Sequence, residues 1–171
     1  SVNQANRTTL QQAYASTLEQ NMIDHWPAGE TYALDLLDEF VRKRLNHYKQ
    51  ARDFPAQVGT SQLSAYLNIG ILSIRQCIQA LFRQQHGDFI IQSESQQVWL
   101  DELLWREFYQ HILFDFPQVS KHLPFKSSTQ NIPWRDDPIA LGQWHQGKTG
   151  IPMVDAGMRQ LLATGWMHNR V

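Results

Sequence analysis

Ser93-Glu94-Ser95-Gln96-Gln97-Val98-Trp99-Leu100-Asp101-Glu102-Leu103-Leu104-Trp105-Arg106-Glu107-Phe108-Tyr109-Gln110-His111-Ile112-Leu113-Phe114-Asp115-Phe116 is the stretch on which the fold turns. Ser93 with Gln96 makes a capping box, and Pro117 closes the run. Trp99, Glu102, Arg106 and Tyr109 fall at i, i+3, i+7 and i+10, so they share one stripe of the helix, with Trp105 beside it. Val98, Leu103, Leu104, Phe108 and Ile112 are spread around the cylinder. A helix apolar almost all round is expected to be buried, which carries Glu102 and Arg106 into the interior or onto a cavity wall. Exposed, this i,i+4 pair contributes a few tenths of a kcal/mol. Buried, its desolvation costs several kcal/mol unless each partner is hydrogen-bonded further. The spacing alone suits a structural ion pair as well as a functional one.

Working outward, helical punctuation recurs and period-2 alternation is almost absent. Leu34, Leu37, Val41, Leu45 and Tyr48 form a stripe at helical spacing. Ser73 with Gln76 caps a helix expected to stop near Gly87. A short helix is expected over 65–69. Asp137-Pro138 supplies a cap followed by proline at the first helical position, with Gly147 as the stop. Pro152 opens a helix ending near Gly165, and another helix start is expected after it. Pro117, Pro124 and Pro133 mark an irregular connection. The fold class is all-α, a helical bundle, with residues 1–28 a polar, weakly periodic leading segment and 29–171 the helical domain.

Composition bounds the rest. The 171 residues suffice for one domain with a real core. A net charge of -1 gives no global nucleic-acid signature, so any DNA contact needs a local basic patch. The single cysteine, Cys77, sits among Ile74, Ile78 and Leu81 and reads as a buried, inert thiol. No run approaches the roughly 20 apolar residues of a membrane span, and no signal peptide is visible. A reducing, cytoplasmic setting is expected.

Several features bear on chemistry. Thr60-Ser61-Gln62-Leu63-Ser64 follows Gly59 and brings hydroxyls and free amides to a helix start, which suits an anion such as phosphate. Ser64 as a plain helix cap explains the same residues. Arg44, Tyr48 and Arg52 lie four residues apart. Tyr48 closes an apolar stripe where its hydroxyl wants a partner, whereas Arg42 and Lys43 read as a solvated face. The seven histidines are scattered without metal-ligand spacing, so no metal is expected. Gly147-Lys148-Thr149-Gly150 superficially resembles the end of a phosphate loop but lacks the upstream glycine. Gly165-Trp166-Met167-His168-Asn169-Arg170 is an unusually dense functional cluster for a chain end, which reads as a fragment cut through a working site.

Arg52-Asp53, Gly59 to Leu67, Trp99 to Tyr109, Trp144 to Thr149, Gly150 to Arg159 and Gly165 to Arg170 together resemble the flavin-binding helical domain of the DNA photolyase and cryptochrome family. The resemblance covers about residues 30–171 and points to the bacterial class I cyclobutane pyrimidine dimer type. It implies the N-terminal half of an FAD-binding domain in a deoxyribodipyrimidine photo-lyase, a light-driven enzyme acting on UV-damaged DNA. By position, Tyr48, Thr60, Ser61, Gln62, Leu63, Ser64, Trp99 and Arg106 would contact FAD. Glu102, Trp105 and Asn169 would act on the flipped lesion. Arg52, Arg106, Tyr109, Asn169 and Arg170, with Glu102 and Trp105, would face DNA. Trp134 would be the outermost tryptophan of the chain that photoreduces the flavin. Asn169, where relatives of the (6-4) type carry a second histidine, favours dimer repair.

The resemblance also implies departures. An α/β domain with a folate or deazaflavin antenna and the second half of the flavin domain would lie outside this chain. Gln62 stands where the family often has arginine. The parent would be monomeric, whereas this segment alone would bind FAD weakly and self-associate through apolar surface. Two other readings compete: a blue-light sensor of the cryptochrome type, and a cofactor-free helical interaction module.

Overall fold

A computed structural model describes residues 24–83 and 88–171. Among them every regular element is helical and no strand occurs. They group into two compact units, residues 29–136 and residues 24–28 with 137–171.

In the first unit, no glycine or proline interrupts residues 30–52, and the chain stays helical along nearly all of that length. Helix α1 (Glu30–Glu39) runs into a π turn (Phe40–Arg44), a 3-10 turn (Leu45–His47) and helix α2 (Tyr48–Ala51). The Leu45 amide donates to Phe40 O, an i→i+5 bond that widens the ladder, and the Tyr48 amide then donates to Leu45 O and tightens it. The buried stripe is Ala33, Leu37, Phe40, Val41, Leu45 and Tyr48. Leu34, expected in that stripe, is 37% exposed. Ala33 takes its place because the face that meets helix α4 (Ile74–Arg83) lies one residue around the wheel.

Helix α3 (Ser64–Asn68) is little more than one turn, beginning one residue earlier than expected. Its N-cap is Leu63, without a side-chain cap bond, so Ser64 is the first helical residue and not the cap. The capping box ahead of α4 is formed, with Gln76 N donating to Ser73 Oγ (3.2 Å) and Ser73 N to Gln76 Oε1 (2.8 Å). Gly87, the expected stop, lies outside the described residues. Cys77 is buried on α4, and burial, partly offset by the Arg106 charge, pushes its thiol up to about 11. The thiolate, which is the nucleophile, is therefore disfavoured.

Helix α5 (Glu94–Asp115) starts where the sequence indicates. Ser93 Oγ accepts from Gln96 N, while Gln96 Oε1 reaches one residue further back, to Gln92 N (2.8 Å). The 3-10 turn and α2 lie against α5. Ser95 stitches them together, accepting from Lys49 N (3.2 Å) and donating to Asn46 O (3.1 Å), and Lys49 pairs with Glu94 at the surface. Trp99 rests on Phe40 with ring centroids 5.2 Å apart, and Phe40 meets Tyr48 edge-on at 5.7 Å.

The expectation that α5 is buried all round is overturned. Only Ser95, Gln96, Trp99 and Leu103 are buried. Leu104, Trp105, Phe108, Tyr109, Leu113 and Phe114 are exposed, Phe114 at 83%. Trp99 and Leu103, one turn apart, mark the single face that meets the packed elements of this unit. Past it, the chain turns back through Pro117–Lys121, and Phe116 packs edge-on against Phe125 at 4.8 Å.

The second unit holds helices α6 (Pro138–His145) and α7 (Pro152–Thr164), packed together. Asp137 accepts from Ala140 N (2.9 Å) with proline at the first helical position, as the sequence indicates. Gly147 and Gly165 take left-handed φ values of 61° and 70° at the helix ends, a conformation glycine adopts without a Cβ penalty. Trp26 Nε1 donates to Thr164 O (2.6 Å). The helix expected after Gly165 does not form. The chain leaves extended and then turns, with Arg170 N donating to His168 Nδ1 (3.1 Å) and Val171 N to His168 O (3.0 Å). The His168 ring thus takes up an amide that would otherwise seek a helical partner.

Phe40 is fully buried between Trp99 and Tyr48. Phe40→Ala is expected to destabilise the chain by about 3–5 kcal/mol in denaturant titration.

Candidate flavin and nucleic-acid site

Along the first long helical segment, aromatic and cationic groups alternate at four-residue spacing. Arg44 lies over the Phe40 ring (5.5 Å to the centroid) and Arg52 over the Tyr48 ring (5.3 Å). Each arginine then reaches out to a different segment. Arg44 Nη1 donates to Thr60 O (3.0 Å), and Arg52 Nη2 donates to Glu102 Oε1 (2.6 Å).

The Arg52 side chain is 13% exposed and that of Glu102 36%. Burial pulls the Arg52 pKa down, but the hydrogen bond to Glu102 and the attraction of Tyr48, Glu102 and Asp53 outweigh it, so the net shift is upward. The sequence pairs Glu102 with Arg106 by spacing. The structure supplies Arg52 as a partner, 50 residues away along the chain, which no local pattern reveals. Arg106 Nη2 reaches instead to Leu67 O (3.0 Å), near the end of α3.

The Thr60–Ser64 segment is seated by close packing. A Cβ added to Gly59 would lie 2.6 Å from both Ala51 Cβ and Ala51 O, so only glycine lets the chain pass α2 here. Leu63 is buried at 1% exposure and anchors the segment. Thr60, Ser61 and Gln62 are half-buried, and Ser64 is exposed. Gln62 takes a left-handed φ of 57°, rare for a residue with a side chain. Amides and hydroxyls together form a donor set that fits a pyrophosphate.

Trp99 is a core residue at 2% exposure, with Tyr48 beside it at 7%. Trp105 is 53% exposed and Tyr109 61%, forming with Phe108 an aromatic cluster at 5.5–6.2 Å between ring centroids. Such faces suit base stacking. Trp134 is 82% exposed. Asn169 and Arg170 are exposed and belong to the other unit. The structure therefore joins Tyr48, Arg52 and Glu102 directly and sets Trp105 one turn along α5 from Glu102.

The loop that resembles a phosphate site is already filled. Thr149 N and Thr149 Oγ1 both donate to Asp155 Oδ1 (2.7 Å each), and Gly150 N donates to Oδ2 (3.0 Å). The Thr149 hydroxyl first, then the amides of Thr149 and Gly150 and the Arg159 charge, hold the Asp155 carboxyl below its ordinary value against the opposing effect of burial. Sequence reasoning missed Asp155, although its place in the first turn of α7 is the signal. Among the described residues, no group of three His, Cys, Asp or Glu side chains is arranged to hold a metal ion. No described helix is long and apolar enough to cross a membrane.

A family described as the FAD binding domain of DNA photolyase matches residues 99–171. Deoxyribodipyrimidine photo-lyase of Escherichia coli is 46% identical over 147 residues, covering 86% of this chain and 31% of that protein. The crystal structure of a bacterial class III photolyase from Agrobacterium tumefaciens aligns with a TM-score of 0.81 at 40% identity, over 88% of this chain and 30% of that one. A Synechocystis cryptochrome aligns at 0.76 and 29% identity, over 90% of this chain and 32% of that one. With the Arg52–Glu102 pair, the seated hydroxyl segment and the helical architecture, these likenesses show that the chain belongs to the DNA photolyase and cryptochrome family. It spans about a third of the length of these relatives.

Two outcomes follow from the geometry. A double-mutant cycle of Arg52→Ala and Glu102→Gln, read by denaturant titration, is expected to show about 1 kcal/mol of coupling, as Glu102 is partly solvent-screened. Because the folded Asp155 pKa lies below its ordinary value, its contribution is whole above about pH 4 and is lost as pH falls through the lowered value. Asp155→Asn is therefore expected to lower the Tm at pH 7, with the difference from wild type shrinking in more acidic melts.

Proposed function

We propose that this chain is the flavin- and lesion-facing part of a deoxyribodipyrimidine photo-lyase, a carbon–carbon lyase that splits cyclobutane pyrimidine dimers in UV-damaged DNA. The observation that carries the reading is Glu102, engaged by Arg52 at 2.6 Å and one helical turn from the exposed Trp105 indole. Bound and reduced, FAD supplies the light-driven electron that opens the dimer and is returned afterwards.

The chain's own residues do the rest. Thr60, Ser61, Gln62, Leu63 and Ser64 offer amides and hydroxyls to the cofactor's pyrophosphate, with Tyr48, Trp99 and Arg106 shaping the neighbouring wall. Arg52 orients the Glu102 carboxyl group, whose oxygens accept hydrogen bonds from the N–H groups of flipped pyrimidines. Trp105 gives the extruded bases a face that replaces lost stacking, worth roughly 1–3 kcal/mol per base. Tyr109 faces the DNA strand; the lesion role of Asn169 and the strand role of Arg170, both on the other unit, are carried by the family likeness alone. Charge at these few positions provides phosphate contacts without a basic chain. Exposed Trp134 is the outer end of the path that reduces the flavin. An antenna folate or deazaflavin belongs to a domain outside residues 29–171, the partial flavin domain. A cytoplasmic setting and a monomeric parent are part of the same proposal.

A blue-light sensor is the second reading, favoured by the likeness to a cryptochrome. The two separate in one assay. A full-length polypeptide containing this segment, with flavin reduced, is given an oligonucleotide bearing one thymine dimer under blue light. Repair is expected, with Glu102→Gln and Trp105→Ala each lowering it at least tenfold. Intact dimers with flavin bound and reduced would establish the sensor instead.

The exposed Leu104, Phe108, Leu113 and Phe114 also have a consequence for the 171-residue chain alone. Sedimentation is expected to show self-association at micromolar concentration, with weak or absent FAD binding. A monodisperse monomer with micromolar FAD affinity would overturn that expectation.

A further inference from the structure

We propose that Arg44 is a positioning residue, holding the Thr60–Ser64 segment in the shape that receives the pyrophosphate of a dinucleotide cofactor without touching the cofactor itself. The inference rests on the reading of that segment as the pyrophosphate site.

The segment cannot keep its shape by local preference. Gln62 stands at φ 57°, a conformation an L residue holds only where its surroundings impose it. One restraint is the buried Leu63 side chain. The other comes two residues before Gln62, where Arg44 Nη1 donates to Thr60 O at 3.0 Å. That carbonyl fixes the peptide plane from which the following amides are presented.

Arg44 is built for this task. It ends the π turn, at φ -117° and ψ -25°, where the extra residue of the wider turn shifts side-chain direction by about 100°. Its guanidinium rests on the Phe40 ring, which limits its rotation, and its Nε is buried with no hydrogen-bond partner among the described residues. A charged group carrying that unrecovered desolvation is poorly explained as packing alone. Thr60 O is the acceptor that makes the placement useful. At the far end of the stretch, Arg106 holds Leu67 O at 3.0 Å, so two arginines from different helices grip residues 60–67 by backbone carbonyls.

The test uses the full-length polypeptide containing this segment and two probes, FAD and riboflavin, which lacks the pyrophosphate. Arg44→Met keeps the stem over Phe40 and removes the donor. Its FAD dissociation constant is expected to rise by about ten- to a hundredfold, the usual range for losing a hydrogen bond from a charged group, with riboflavin binding unchanged. Arg44→Lys, which retains one donor, should recover part of the loss. Adding Gln62→Gly to Arg44→Met should recover part as well, because glycine holds φ 57° unaided. Equal losses for both probes, or none for FAD, would overturn the proposal. If Arg44→Met does not fold, the Arg44→Lys comparison decides it by the same ratio. Ser61→Glu tests the underlying reading. If the added charge leaves FAD binding intact, the segment is not the pyrophosphate site and both ideas fall. If Ser61→Glu weakens FAD and Arg44→Met does not, only the positioning role falls.

Discussion

The first unit depends on a change of helical phase between Phe40 and His47. A regular α-helix from Glu30 to Ala51 would carry its side chains along one slowly drifting stripe. The π turn followed by a 3-10 turn inserts a step in that drift while keeping the backbone hydrogen-bonded. Phe40 and Tyr48 can then meet edge-on beneath Trp99, while Arg44 and Arg52 project toward Thr60 and Glu102. Core and candidate site are two faces of one irregular segment.

Three arginines of the first unit tie separate segments together. Arg44 and Arg106 grip backbone carbonyls and Arg52 grips a carboxylate, in each case from a partly buried position. A planar fork with a fixed charge suits this work better than an ammonium, because its direction is set once the side chain is stacked. Arg44 and Arg52 are stacked on aromatic rings in this way. The Arg52–Glu102 pair sets a charge-assisted hydrogen bond one turn along α5 from the exposed Trp105 indole.

Two loops that each carry amides and hydroxyls meet opposite fates. Residues 147–150 resemble the end of a phosphate loop, yet the Thr149 and Gly150 amides and the Thr149 hydroxyl are spent on Asp155 within the same unit. Residues 60–64 lack that motif but are restrained through a carbonyl and a buried leucine, leaving hydroxyls at the surface. Whether a donor set serves a ligand or the fold depends on where the nearest carboxylate sits.

Much of the local structure was legible in the residues themselves. Ser73, Ser93, Asp137, Pro152 and Gly165 mark helix ends because capping chemistry acts over three or four residues. The all-helical class and the family likeness of the Thr60, Trp99 and Gly165 stretches were likewise open to a reader of the chain. Tertiary structure alone decided that Arg52 engages Glu102, that Leu34 turns outward while Ala33 turns in, and that α5 leaves Trp105 and Phe108 exposed. It also replaced the helix expected after Gly165 with a turn on His168. These outcomes depend on which segments meet in space, and a contact between residues 50 apart leaves no periodic trace in sequence. Local preference sets where helices begin and end. Packing sets which of their faces meet, and it was packing that assembled this site.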